Sequence, residues 1–86
     1  MIWKFALPEP GGVTVVAALG LEPLCVKRQD GVAKMWASVE EPTVGDTMEE
    51  YEVICVGTGW PFDRRFHYIG TLIDGECVWH YLYRKR

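Results

Sequence analysis

The sequence of 86 residues has few of the parts that build common active sites. Its single serine, Ser38, has no nucleophile-elbow sequence around it, so a serine-hydrolase triad has no anchor. The three cysteines, Cys25, Cys55 and Cys77, form no CxxC pair that could begin a zinc site. Odd in number and widely spaced, they read as reduced, largely buried thiols of a cytosolic protein. Positive charge is also scarce: 9 Lys and Arg stand against 12 Asp and Glu, a formal net charge of −3. No broad basic field is left to attract duplex DNA or RNA. Only Lys4 precedes a short apolar stretch that ends at Pro8, far less than a signal sequence or a membrane span needs. Internal repeats, low-complexity tracts and helical apolar stripes longer than two turns are absent.

What the chain does have is aromatic and apolar residues at strand spacing. Four Trp, four Tyr and three Phe supply much of the burial, because each such side chain removes roughly 150–250 Å² from water. A chain this short buries only about 60–65% of its unfolded surface, too little to support both a stable body and a deep substrate cleft. Turn signals fall at short intervals: Pro8–Gly12, Gly20–Pro23, Asp30–Gly31, Pro42–Asp46, Gly57–Arg65 and Asp74–Gly75. Between them, Trp3, Phe5 and Leu7 alternate with Ile2, Lys4 and Ala6, and Val13, Val15, Ala17 and Leu19 alternate with Thr14, Val16 and Ala18. The expectation is a single all-β domain over residues 1–86. It is a small antiparallel sheet protein, barrel or sandwich, of about six strands. At most one helical turn is expected, where Asp46 precedes Glu49 and Glu50.

Two Asp-Gly pairs between apolar runs signal type I′ hairpins and fix a register. In the first, Gln29 faces Val32, Lys27 faces Lys34 and Cys25 faces Trp36 on one side, while Arg28 and Ala33, Val26 and Met35, and Leu24 and Ala37 share the buried side. Lys27, Lys34 and Trp36 then lie together on the outer face. Like charges directly across a ladder repel unless an anion sits between them. In the second, Gly70 faces Trp79, Leu72 faces Cys77, Tyr68 faces Tyr81 and Phe66 faces Tyr83, with Trp79 folding over the strand glycine. The far side makes His67 and His80 diagonal neighbours, with Cβ atoms about 7–8 Å apart. Two histidines alone do not complete a metal site, so they read as polar positions on a half-solvated face.

The segment Gly57-Thr58-Gly59-Trp60-Pro61-Phe62-Asp63-Arg64-Arg65 joins flexible glycines, aromatics and an arginine pair. It is not a P-loop, because no Gly-Lys-Ser/Thr follows and no helix begins there. Arginine forks bind phosphate or carboxylate and aromatic planes stack on bases. Trp60, Arg64 and Arg65 could therefore grip a nucleotide together with Lys27 and Lys34, or simply form a turn that caps the core. The acidic run from Glu40 to Glu52 reads as a solvated loop, and Arg84-Lys85-Arg86 reads as a solubilising strand edge.

Trp3-Lys4-Phe5, Trp36-Ala37, Gly57-Thr58-Gly59 with Pro61, Tyr68-Ile69-Gly70-Thr71 and Val78-Trp79-His80 occur in an order and spacing that resembles a family of small phage and prophage proteins sharing a domain of unknown function. The family pattern has His after Gly-Thr-Gly where this chain has Trp60. The resemblance implies a phage-encoded protein acting in the host cell cytoplasm, and it supplies no activity to carry over. The expectation is a non-enzymatic binding protein without cofactor or metal. As a host-takeover or anti-defence inhibitor, it would engage a bacterial protein or sequester a small nucleotide signal. The residues expected to serve are Trp60, Arg64, Arg65, Lys27, Lys34, Trp36, His67 and His80. The alternatives are a small single-stranded nucleic-acid-binding barrel, made less favourable by the acidic charge, and a virion accessory protein that assembles as a homo-oligomer.

Overall fold

In the computed structural model, which describes residues 1–86, the alternating stretches become seven strands. They are β1 (Ile2–Ala6), β2 (Val13–Ala18), β3 (Glu22–Gln29), β4 (Val32–Ser38), β5 (Glu49–Gly57), β6 (His67–Asp74) and β7 (Cys77–Lys85). No helix forms. Asp46 instead turns back on Thr43, its carboxylate accepting from the Thr43 N–H at 2.6 Å and from the Thr43 hydroxyl at 2.8 Å. These bonds hold its carboxyl below the usual range.

All pairing is antiparallel, in a three-stranded sheet of order β1-β4-β3 and a four-stranded sheet of order β2-β5-β7-β6. The sheets do not close into a barrel; they stack as a sandwich-like pair. Val26, Met35 and Ala37 from one inner face meet Val16, Ala18, Tyr51, Val53, Cys55 and Tyr81 from the other, and Leu21 and Val39 close the ends. Met35 and Val53 are almost wholly buried, and each such burial contributes about 1.5–3 kcal/mol. Burial also pushes the Cys55 thiol up and the neighbouring Tyr81 phenol up to about 12, so both stay neutral. Of the three thiols Cys55 is buried, Cys25 half-buried and Cys77 exposed, which corrects the expectation for Cys77.

The first hairpin keeps its expected register from Gln29↔Val32 to Cys25↔Trp36. Asp30 and Gly31 have φ of 53° and 77°, the pair of positive values that a type I′ turn requires. A bulge at Leu24 then pairs Pro23 with Ala37. The second hairpin differs. Asp74 pairs with Cys77, so the turn is Gly75-Glu76 with positive φ at Gly75 alone, as in a type II′ turn. Leu72 therefore faces Trp79, and Gly70 faces Tyr81. A bulge at Ile69 reverses the faces of everything before it, leaving His67 opposite Tyr83 and Tyr68 opposite Leu82. His67 and His80 thus fall on opposite sides of the sheet and are not diagonal neighbours.

Charge runs that looked independent in sequence neutralise each other. β7 is a central strand rather than an edge, and its basic end lies along the acidic start of β5. Arg84 pairs with Glu52 at 2.9 Å, Arg86 pairs with Glu50 at 3.8 Å, and Lys85 pairs with Glu49. Glu49 also accepts from the Gly20 N–H at 2.8 Å and the Tyr51 hydroxyl at 3.0 Å, tying β2's exit to β5.

Two expected outcomes follow from this packing. A Cβ built at Gly70 would lie 2.7 Å from Val26 Cγ2, so Val26 of the opposite sheet, not Trp79, covers this glycine. Gly70→Ala must push the sheets apart and is expected to destabilise by about 1–3 kcal/mol in urea unfolding. Separately, Lys85 and the two donors lower Glu49 from an ordinary 4.5 to about 2. A depressed folded-state pKa adds stability that is fully present above the unfolded value and lost as pH falls toward 2. Melting temperature is therefore expected to drop between pH 4.5 and 2, and Glu49→Gln is expected to flatten that part of the profile.

Candidate functional site

The segment after β5 has a topological task. β5 and β6 run parallel to each other with β7 between them, and β5 ends beside Trp79 whereas β6 begins beside Tyr83. The chain must therefore travel back about 13 Å along the strands and about 10 Å across them before it can re-enter the sheet. Such crossovers commonly use a dozen or so residues and a helix. Here residues 58–66 do it as a loop laid over the sheet's outer face. Two turns take up the slack, Trp60 N–H donating to Gly57 O at 3.1 Å and Phe66 N–H to Asp63 O at 3.0 Å.

A loop over a sheet face needs something apolar beneath it. Leu82, pointing away from the main core, is that anchor and is buried under the loop. Trp60, Pro61, Phe62, Arg64, Phe66 and Tyr68 surround it in an open cleft of about 550 Å³. A second hollow of about 290 Å³ continues beneath Trp60 and Phe62 to Val56, Thr58 and His80. Trp60 stands where these hollows meet. Its indole lies edge-on to Trp79 at 5.8 Å, and a Cβ at Gly57 would sit 2.9 Å from it, so only glycine lets the ring settle there. The aromatic rim is nonetheless open to solvent: Trp60 is 45% exposed, Phe62 46% and Tyr68 61%.

Polar groups brace the loop at both ends. His80 Nε2 lies 2.7 Å from the Thr58 hydroxyl and Nδ1 lies 2.9 Å from the Thr71 hydroxyl, which in turn bonds the Tyr68 hydroxyl. Both ring nitrogens are thereby engaged, and His80 fastens the loop's first residue to the sheet. Arg65 forks onto Asp63, with Nε 3.1 and 3.0 Å from the two carboxylate oxygens and Nη2 at 2.6 Å. That guanidinium and the Arg65 N–H hold Asp63 down to about 2. Arg84 lies 5.1 Å over the Phe66 ring and completes the far end.

The expected residues therefore divide. Trp60 and Arg64 line the cleft, His80 braces it from below, and Arg65 shapes the loop. His67 packs beside Tyr83 at 5.8 Å on the other side. Lys27, Lys34 and Trp36 lie on the outer face of the three-stranded sheet, with the whole core between them and the cleft, so one ligand cannot be gripped by both. Sequence reasoning missed Phe66, Tyr68 and Leu82 as cleft walls because the bulge at Ile69 is what turns Tyr68 to the side of Leu82. It also missed Lys4, which β1 sets directly across from Trp36; its alternation with Trp3 and Phe5 was the available signal.

Charge pairing sharpens the division. Of nine lysines and arginines, Arg28, Arg65, Arg84, Lys85 and Arg86 carry a carboxylate partner. The four that do not are Arg64 in the cleft and Lys4, Lys27 and Lys34 on the opposite face.

If the Asp63–Arg65 fork sets the loop's shape, Asp63→Asn should speed amide hydrogen exchange at Arg65 and Phe66, measured by NMR, while the Tyr81 amide in the core keeps its protection. Acidification toward pH 2 should reproduce the same local opening in the unaltered chain, since the depressed carboxylate loses its charge there.

No curated protein and no solved structure matches the chain significantly. A family model does, over residues 1–86, and the chain belongs to that family, described as Domain of unknown function (DUF7352).

Proposed function

We propose that this protein is a non-enzymatic binding module that captures a bacterial protein in the cleft beneath its crossover loop. The observation that carries the reading is the composition of that cleft: three exposed aromatic side chains around a buried leucine, with Arg64 lacking any carboxylate of its own. Tryptophan, tyrosine and arginine dominate the energetics of protein interfaces, because they combine large apolar area with a directional polar group. A matching partner segment inserts an apolar side chain between Trp60, Phe62 and Tyr68 and offers a carboxylate to Arg64. The loop reaches its rim already braced by His80, Asp63 and Arg84, so little ordering entropy opposes docking.

The biological setting proposed with it is a phage-encoded inhibitor acting in the host cytoplasm, against a defence or housekeeping protein. Support for that setting is the family likeness alone, which is analogy rather than chemistry.

Immobilised protein and its Arg64→Ala and Phe62→Ala variants, exposed to bacterial lysate, form the test. A protein retained by the unaltered chain and weakened at least about thirtyfold by each substitution supports the reading. Equal retention by all three, with melting temperatures unchanged, removes the cleft from the function.

A further inference from the structure

On the outer face of the three-stranded sheet, β1 and β3 flank β4 and bring three lysines around one indole. Lys4 pairs directly with Trp36, Lys34 precedes Trp36 by two residues on the same face, and Lys27 pairs directly with Lys34. No carboxylate neutralises any of them; the one side-chain partner is Gln29, whose Oε1 accepts from Lys4 Nζ at 2.7 Å. Two acidic residues lie nearest in register. Glu22 pairs with Ser38, beyond Trp36, and Asp30 sits in the hairpin turn, and neither is ion-paired to the cluster. Like charges directly opposite on a ladder are destabilising. In a chain of net charge −3, with acids to spare, three uncompensated cations around a half-buried tryptophan are costly unless an anion completes them.

We infer that this face binds a nucleoside polyphosphate, its base stacked on Trp36 and its phosphates held by Lys27 and Lys34, with Lys4 at the ring's edge. A flat ring suits a half-buried indole on an outer sheet face, as in proteins that stack bases on strand aromatics. Lysines whose Cβ atoms lie about 5 Å apart across a ladder can bring their flexible ammonium groups onto adjacent phosphates. The site is independent of the cleft, on the other outer face, so its failure and the cleft's failure are read by different substitutions.

The experiment titrates the intact protein with ATP, with inorganic tripolyphosphate and with a single-stranded oligothymidylate, at low and high salt. ATP is expected to bind more tightly than tripolyphosphate, with affinity falling as salt rises. Lys34→Glu is the informative variant. It converts Lys27 opposite Lys34 into an ion pair, so melting temperature is expected to hold or rise while ATP affinity falls at least about tenfold. Trp36→Phe, which keeps a ring, should retain binding that Trp36→Ala loses. Absence of ATP binding overturns the inference, as does ATP affinity that survives Lys34→Glu. Equal affinity for ATP and tripolyphosphate overturns the stacked base, and binding of the oligonucleotide without ATP overturns the mononucleotide in favour of a strand.

Discussion

The arrangement of both outer faces depends on how β6 meets the opposite sheet. Gly70 lets Val26 approach so closely that no side chain fits between them, and Leu72 and Ile69 pack beside that contact. With Gly70 committed inward, strict alternation would also turn Tyr68 inward and His67 outward. The extra residue at Ile69 breaks the alternation and sends Tyr68 to the outer side, opposite Leu82. Without that bulge the crossover loop would lose a wall of its cleft and the core would have to take in a tyrosine hydroxyl. β6 is also an edge strand, where bulges are common and twist the free ladder away from edge-to-edge pairing.

Electrostatics add selection rather than bulk stability. Ion pairs as exposed as Arg65–Asp63 are screened by solvent and contribute little individually. Their consequence is which charges they remove from play. The acidic start of β5 absorbs the basic end of β7, Asp74 takes Arg28 at 3.7 Å, and Asp63 takes Arg65. A protein whose overall charge is negative is thus left with its unpaired lysines and arginines in two places only. Neither place could be picked out from net charge, because most of the pairing that uncovers them joins residues more than thirty positions apart, such as Glu52 and Arg84, with Asp63–Arg65 the one local pair.

The strands, the lack of helix and the first hairpin were legible because they are local. Alternation over five to nine residues fixes a strand, and Asp30-Gly31 fixes a turn without help from the rest of the chain. The second hairpin was misregistered because Asp74-Gly75-Glu76 supports two turns, and sequence does not say whether Asp74 enters the turn or pairs with Cys77. Val26 on Gly70 lies beyond any local rule, being a contact between sheets. The unusual composition of Gly57–Arg65 marked the loop correctly, but its role as a crossover follows only from β7 lying between β5 and β6. Trp60 and Arg64 stood out by residue type, and both line the cleft. That Arg65 serves the loop itself turns on Asp63, two residues away, and could have been weighed from spacing alone.

Size confines the cleft and the lysine–tryptophan cluster to the outer faces. The backbone extends 46 × 29 × 16 Å, two sheets thick with a single layer of side chains between them. Such a core has no room for an internal pocket, and enlarging one would remove the few fully buried residues that hold the sheets together. Each strand must instead serve twice, with alternate residues building the core and the residues between them meeting solvent or a partner. In β4 Met35 and Ala37 are core while Lys34 and Trp36 face out; in β7 Tyr81 is core while His80 and Leu82 support the loop. Core positions and the positions of both proposed sites are therefore interleaved on the same strands. A substitution such as Lys34→Glu acts on an outer face and leaves the inner one intact, whereas Gly70→Ala disturbs the stacking on which both outer faces rest.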